Sequence, residues 1–179
     1  MLRCDFNAMT VIMNSSSSGF AKTSGLTRRT CLGLALLWGS VRSAGAAPIT
    51  LPSAKSLRDE LALALKGGHP LVVMVSLDGC PYCKVVRENY LSPLHQEQGL
   101  PVVQVDMQSG AAVQDFHGMV FTHDALVHAW NVTLAPTVLF FGRDGAEVAP
   151  RLKGIGSADY YGAFLDARLE QARAAIKAP

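Results

Sequence analysis

Cys80 and Cys83, in the run Gly79-Cys80-Pro81-Tyr82-Cys83, are the two residues of this chain whose type and spacing best suit chemistry. Three residues apart on a helix, two thiols lie one turn from each other, within reach of a disulfide that can open and close. Pro81 suits the first turn of a helix, where its missing N–H leaves no bond unmade. Cys80 then stands at the helix N-terminus, where unpaired N–H groups and the positive end of the dipole stabilise a thiolate. Cys83, one turn inward, is expected to be less exposed. The spacing therefore suits Cys80 for attack and Cys83 for resolution. Two blander uses of the pair fit less well. An inert bridge would close so short a loop that it stabilises little, and a zinc half-site would need a second pair that does not follow.

The elements that must position this pair can be read around it. Leu71 to Val75 is an apolar, Val-rich run of the kind found in strands buried on both faces. Ser76 to Gly79 is a turn, and Val85, Val86, Asn89 and Tyr90 recur at intervals that give the following helix one packed face. That helix is expected to end near Leu91, because Ser92 precedes Pro93, with one further turn from Pro93 to Gln98 before Gly99. Upstream, Ser53 is the expected N-cap of a helix to about Lys66, with Leu57, Leu61, Ala64 and Leu65 as its stripe and Gly67 and Gly68 as its stop. Downstream, Pro101 to Met107 reads as a second strand. Gln108 to Thr122 reads as a long irregular connection, either bordering the site or a neutral insertion. Thr122 and Asp124 open a helix to Asn131. Thr137 to Phe141 is a strand, Asp144 and Gly145 a hairpin turn, and Ala146 to Leu152 the returning strand. The last helix opens at Ser157 or Asp159, with Tyr160, Phe164, Leu165 and Leu169 on its buried side. Trp130, Tyr160 and Tyr161 read as core packing.

The first 47 residues do not read as part of this domain. Residues 1–26, with the run Ser15 to Ser18, are polar and aperiodic and are expected to be a disordered extension. Thr27, Arg28, Arg29, Thr30, Cys31 and Leu32 precede a short apolar run ending near Val41, and Ala44 to Ala47 offer small-residue cleavage positions. Residues 27–47 thus resemble a twin-arginine export signal cleaved near Ala46/Ala47, although Cys31 and Gly33 stand where a bulky apolar residue and a lysine are more usual. An ordinary secretory signal or a membrane anchor are the alternatives, and the run is well short of the roughly 20 residues that span a bilayer. Residues 48–179 remain as one domain of a size that can bury a core.

Of the chain's 16 basic and 14 acidic residues, the first 47 hold five and one, which leaves 11 against 13 for the rest. The net positive charge belongs to the signal, so nothing in the domain points to nucleic acid or an anionic membrane. Cys4 and Cys31 lie in the same segment, and only Cys80 and Cys83 remain, too few for a structural disulfide framework. A noncatalytic alternative is a Cu(I)-binding module, since two thiolates can hold that ion, with His117, His123 and His128 as the available helpers.

The order helix, strand, helix, strand, helix, hairpin, helix, with the cysteine pair after the first core strand, resembles the thioredoxin fold over roughly residues 53–174. CPYC at the strand-to-helix junction, the loop Ala135-Pro136-Thr137, the Asp144/Gly145 hairpin and Gly154 before the last helix carry the likeness together. Within that superfamily the chain is similar to the periplasmic SoxW-like thioredoxins associated with sulfur oxidation, which share GCPYC, a long segment after the second strand and a PTVLFF-like strand. The resemblance implies an α/β thioredoxin fold, a central mixed sheet flanked by helices, with an insertion after the second core strand. It implies Cys80 as nucleophile and Cys83 as resolving thiol, supported by Pro81 and Tyr82. It also implies a cis Pro136 facing the pair and an Ala135 backbone that pairs with an extended substrate. The redox-active disulfide would serve in place of a cofactor, and no metal is implied. Asp106 would be structural.

The implied activity is that of an exported, periplasmic thiol-disulfide oxidoreductase. It would reduce disulfides of proteins, draw electrons from a membrane carrier, and have no stable membrane insertion of its own after signal cleavage. A glutaredoxin-like activity and an oxidising, DsbA-like direction are the alternatives within the class. Met74 stands where better-known thioredoxins carry a buried acid, and Ser76 and Gly79 stand where those proteins carry tryptophans. The charges of Asp78 and Lys84 act in opposite senses on a nearby thiol, which leaves the redox direction open.

Overall fold

Residues 50–178 are described by a computed structural model of the chain and fall within one unit, Gly45–Pro179. The expected extension (1–26) and export signal (27–47) lie outside the described residues. In chain order the elements are α1 (Leu57–Lys66), β1 (Leu71–Ser76), α2 (Pro81–Val86), a π turn (Arg87–Leu91), α3 (Ser92–Gln98) and β2 (Val102–Asp106). There follow β3 (Ala112–Gln114), β4 (Val120–Thr122), α4 (His123–Ala129), β5 (Thr137–Phe141), β6 (Glu147–Lys153) and α5 (Ala158–Lys177).

All six side chains of β1 are buried. Successive residues of a strand point to opposite faces, so a continuous apolar strand needs cover on both. Val72 and Met74 join one core with Cys83, Val86 and Leu91 of the cysteine-bearing helix and Tyr161, Leu165 and Leu169 of α5. Leu71, Val73 and Val75 join the other with Leu57 and Leu61 of α1 and Leu126 and Val127 of α4. The result is a three-layer α/β/α arrangement around a mixed sheet of order β2-β1-β5-β6. β1 runs parallel to β2 and antiparallel to β5, and β5 runs antiparallel to β6. Pro150 lies in β6 at the sheet edge, where its missing N–H breaks no central ladder.

Five expectations are corrected. The first helix begins at Leu57, capped by Ser56 Oγ, which accepts from the Asp59 N–H at 3.3 Å. Ser53 instead bridges Gln104, and residues 52–54 exchange backbone bonds of 2.8 Å with Gln104, covering the edge of β2. The cysteine-bearing helix does not stop before Pro93. Ser92 stays helical and donates to Arg87 O, and this wider turn carries the helix past the proline to Gly99, whose φ is +66°. The extra residue moves the packed face to Cys83, Val86 and Leu91, leaving Asn89 exposed.

The segment after β2 is not irregular throughout. β3 and β4 pair as a small hairpin, and the buried carboxylate of Asp115 accepts from the N–H groups of His117 (2.9 Å) and Met119 (2.7 Å) at its turn. Phe116 of this turn packs 4.6 Å from the Phe141 ring, next to Trp130, and against Gly145, where a Cβ would meet its ring. In α5, Tyr161 is buried and Tyr160 and Phe164 are exposed. The stripe Tyr161, Leu165, Leu169, Ala172 and Ile176 runs the length of the helix, whereas the one through Tyr160 and Phe164 continues into Arg168 and Gln171.

Two consequences for stability follow from buried polar groups. Tyr161 packs against Tyr90 with the rings tilted by 58° and their centroids 4.9 Å apart, but its hydroxyl is buried without a hydrogen-bond partner among the described residues, and burial raises its phenol pKa. Tyr161→Phe keeps the ring contact and removes the unpaired group, so urea unfolding should show it equal to the native chain or more stable by up to about 1 kcal/mol. Glu60 accepts from the Lys55 N–H at 3.1 Å through Oε1, while its buried Oε2 has no partner among the described residues. Desolvation, only partly offset by the N–H groups of Lys55 and Ser56, raises its pKa. A carboxyl raised on folding favours the folded state while protonated. That contribution is complete below the unfolded carboxyl's pKa and is lost as pH rises through the folded one. Glu60→Gln should therefore gain stability over the native chain as pH is raised from 4 to 7, read as a growing difference in urea midpoint.

Candidate functional site: the Cys80–Cys83 dithiol

β1 delivers the chain to the end of the sheet, where Leu77 to Gly79 turn it into α2. The Cys80 N–H donates to Leu77 O at 3.3 Å, and Gly79, at φ +69°, takes the left-handed conformation that this reversal needs. Cys80 is the N-cap of α2 and Pro81 is its first residue. In place of the hydroxyl or carboxylate that usually caps a helix, the Cys80 sulfur accepts from the Cys83 N–H at 3.1 Å. The same sulfur is bonded to Cys83 as a disulfide, with the two Cα atoms 5.3 Å apart.

The two halves of this disulfide differ in surroundings. Cys83 is fully buried in the core that contains Met74 and Val86, whereas Cys80 packs at its margin and is partly open to solvent. The Cys80 side of the bond is the one that faces solvent. Pro81 is exposed and Tyr82 is 60% exposed beside them. The Ala135–Pro136 peptide is cis, and Ala135 packs against the same core as Cys80. Because Val75 of β1 lies opposite Thr137 of β5, the turn after β1 and the loop before β5 emerge at one end of the sheet. The loop is held by Thr137 Oγ1, which donates to Leu134 O at 2.6 Å, and by the Gly154 N–H, which donates to Pro136 O at 2.7 Å.

Against this geometry stands one comparison that decides the family: residues 57–169 match the thioredoxin-like domain. The chain belongs to the thioredoxin-like family. Its match runs from the start of α1 into α5 and so includes the dithiol, the hairpin and the cis-proline loop. No curated protein matches the sequence. Among solved structures it is similar to thioredoxin O2 from Arabidopsis thaliana in the oxidised state, at 19% identity over 66% of this chain and 93% of that one, with a TM-score of 0.43. The periplasmic thioredoxin SoxS from Paracoccus pantotrophus, in its reduced form, is 19% identical over 57% of this chain and 98% of its own, with a TM-score of 0.39. A DsbH oxidoreductase is 19% identical over 70% of this chain and 91% of its own, with a TM-score of 0.46.

In this thioredoxin-like domain a groove of about 990 Å³ opens beside Cys80, between the cysteine-bearing helix and the ends of β1 and β2. Its floor is a polar network that the sequence reading missed. The Arg87 Nε–H donates to Gln104 Oε1 at 2.8 Å and its Nη2–H to the Ser76 hydroxyl at 3.0 Å, while Gln104 Nε2–H donates to Asp106 Oδ1 at 2.6 Å. One signal was available: Arg87 follows Cys80 by seven residues and Lys84 by three, which stacks the three on one side of a helix.

The histidines do not form a group with the cysteines. Buried His123 accepts from the Asp106 N–H at Nδ1 (3.1 Å), so its proton sits on Nε2, which donates to Ala54 O at 3.0 Å. His128 is exposed on α4 beside Asp124, and His117 is exposed at the hairpin turn. Among the described residues no three His, Cys, Asp or Glu side chains gather to hold a metal ion. His123 instead ties the segment before α1 to the end of β2. His123→Leu would leave the buried Ala54 carbonyl and the half-buried Asp106 N–H without their partner, and should cost about 1–4 kcal/mol in urea unfolding. The rate at which dithiothreitol reduces the disulfide of the folded variant should stay that of the native chain.

Proposed function

We propose that this chain is an exported thiol-disulfide oxidoreductase that reduces disulfides of periplasmic proteins. The observation that carries the reading is the asymmetry of the Cys80–Cys83 bond, one sulfur open at a helix start and the other sealed in the core. In the reduced state Cys80 acts as the nucleophile. The Cys83 N–H aimed at its sulfur, with the start of α2 behind it, favours negative charge there. The Cys80 thiolate attacks a substrate disulfide, forms a mixed disulfide and expels the first substrate thiolate. Cys83 loses its proton and attacks the Cys80 sulfur. The second substrate thiolate leaves, and two electrons have passed to the substrate as the Cys80–Cys83 bond forms.

Pro81 starts the helix that sets this geometry, and Tyr82 is an apolar contact beside the reacting sulfur. Ala135 and Pro136 offer backbone at the same end of the sheet, where an extended substrate segment can add as a strand. The disulfide is itself the redox group, with no further cofactor. Twin-arginine-like residues 27–47 support export, and no helix among the described residues is long and apolar enough to cross a membrane. Regeneration of the dithiol outside the cytoplasm calls for a membrane electron carrier as donor.

Single-cysteine variants test the assignment. Cys80→Ser should abolish reduction of insulin by the protein, and Cys83→Ser should accumulate a mixed disulfide at Cys80, seen by non-reducing electrophoresis and mass spectrometry. Activity retained by Cys80→Ser would sink the proposal. Equilibration with a thiol buffer reads the direction. A potential near about −270 mV fits a reductase, and one near about −120 mV would make the chain an oxidant.

A further inference from the structure

From Cys80 one side of the helix runs through Lys84 to Arg87 and Glu88 and forms a wall of the groove, with Asp78 and Asp106 facing in from the turn after β1 and the end of β2. The groove therefore holds charges of both signs beside the reactive sulfur. Among the described residues Arg151 and Glu147 pair, two histidines lie beside Asp106 and Asp124, and neither Lys84 nor Arg87 takes part in an ion pair. Asp106 meets only a neutral imidazole, because His123 Nδ1 is occupied as an acceptor.

Arg87 and Asp106 are fixed by one side chain. Gln104 accepts from Arg87 through its carbonyl and donates to Asp106 through its amide, and Ser76 holds Arg87 from beneath. A guanidinium and a carboxylate are thereby kept in place and apart, bound to neutral groups instead of to each other. The Nη1 edge of Arg87 remains without a partner among the described residues. Holding two opposite charges at a set separation costs desolvation and conformational freedom that a direct ion pair would have offset. The arrangement suits a ligand that carries a carboxylate and an ammonium on one carbon. A concavity of about 990 Å³ is at the upper end of what small molecules occupy.

We propose that the groove binds the zwitterionic amino-acid head of a small disulfide, of the cystine or short cysteine-peptide type, with its carboxylate on Arg87 and Lys84 and its ammonium on Asp106. The inference rests on the dithiol reading above and adds a substrate class to it. The Cys80 thiolate of the reduced protein attacks one sulfur of the bound disulfide. That S–S bond breaks, one half leaves as a thiolate that takes a proton from water, and the other is joined to Cys80. Cys83 gives up its proton, attacks the Cys80 sulfur and releases the second half. The electrons come from the protein's own dithiol, which ends as the disulfide, and one small disulfide becomes two thiols.

The test is single-turnover oxidation of the pre-reduced full chain by four small disulfides and by insulin, followed by intrinsic fluorescence or by trapping of free thiols. The small disulfides are cystine, its dimethyl ester, its N,N′-diacetyl derivative and bis(2-hydroxyethyl) disulfide, each rate divided by that of free dithiothreitol with the same compound. Cystine should saturate and lead the series. Loss of either its carboxylates or its ammonium groups should raise the half-saturating concentration about tenfold, and added salt should erode the same preference. Arg87→Gln should raise half-saturation for cystine by a similar factor and leave the hydroxyethyl disulfide and insulin within about twofold. If cystine shows no lead over the neutral disulfide while insulin is reduced, the groove reading is overturned and the dithiol reading stands. If Arg87→Gln slows all five substrates alike, Arg87 serves the thiol or the fold and the groove reading is again wrong. If no substrate oxidises the native dithiol, both readings fail. The ligand series needs no variant, so misfolding of Arg87→Gln would leave the test intact.

Discussion

A strand with all six side chains buried must be covered on both faces, and in this chain that requirement fixes where the cysteines can be. β1 supplies Val72 and Met74 to one core and Leu71, Val73 and Val75 to the other, so neither helical layer can leave without exposing its side of the strand. At roughly 25 cal/mol per Å² of apolar surface, burial of this kind is the main favourable term in folding. The chain leaves β1 at Ser76, itself buried, and the next helix is anchored by Cys83 and Val86 in the first of those cores. Cys80 is held between sheet end and helix start because the strand before it, through Ser76, and the helix after it, through Cys83 and Val86, are both committed to packing.

The same packing gives the disulfide its direction. A symmetric, exposed bridge could be opened at either sulfur, and a fully buried one at neither. Here the helix turn that joins the two cysteines also crosses the boundary of the core, so one sulfur sits outside and one inside. The Cys83 N–H bonded to the Cys80 sulfur favours negative charge on the outer atom once the bond is open and Cys80 is a free thiolate. Burial thus sets which sulfur faces solvent, and the helix start favours the thiolate form of that one.

Much of this was legible in the chain. The Val-rich run, the turn to Cys80, Pro81 at the first helical position, the Asp144/Gly145 turn and the strand from Thr137 to Phe141 all stand where pattern and turn chemistry put them. These signals are local, and the structure keeps them. What the sequence hid depends on contacts far along the chain. Ser53 is a good cap in isolation, but the edge of β2 recruits it as a bridge to Gln104. Pro93 is a stop signal in isolation, but a π turn absorbs it because Leu91 and Leu94 still have the same core to meet. Tyr160 and Tyr161 compete for one buried position, and only the continuation of each stripe, four and more residues on, decides between them. Arg87, Gln104 and Ser76 come from three different elements, and no spacing within one of them announces the network they form.

Charge handling at the site follows from the same division. Cys83 shares its core with Met74 and Val86, while the charged side chains of the site stand on the groove beside Cys80. There Asp78, Lys84 and Asp106 line a polar wall, and Arg87 stands among them outside any ion pair of the described residues. On the proposed reading the two tasks are divided along one helix: the first turn, with Cys80 and Cys83, carries out the exchange, and Arg87, two turns on and held by Gln104 and Ser76, recognises charge. A disulfide with no carboxylate to offer then meets the same sulfur without using the guanidinium.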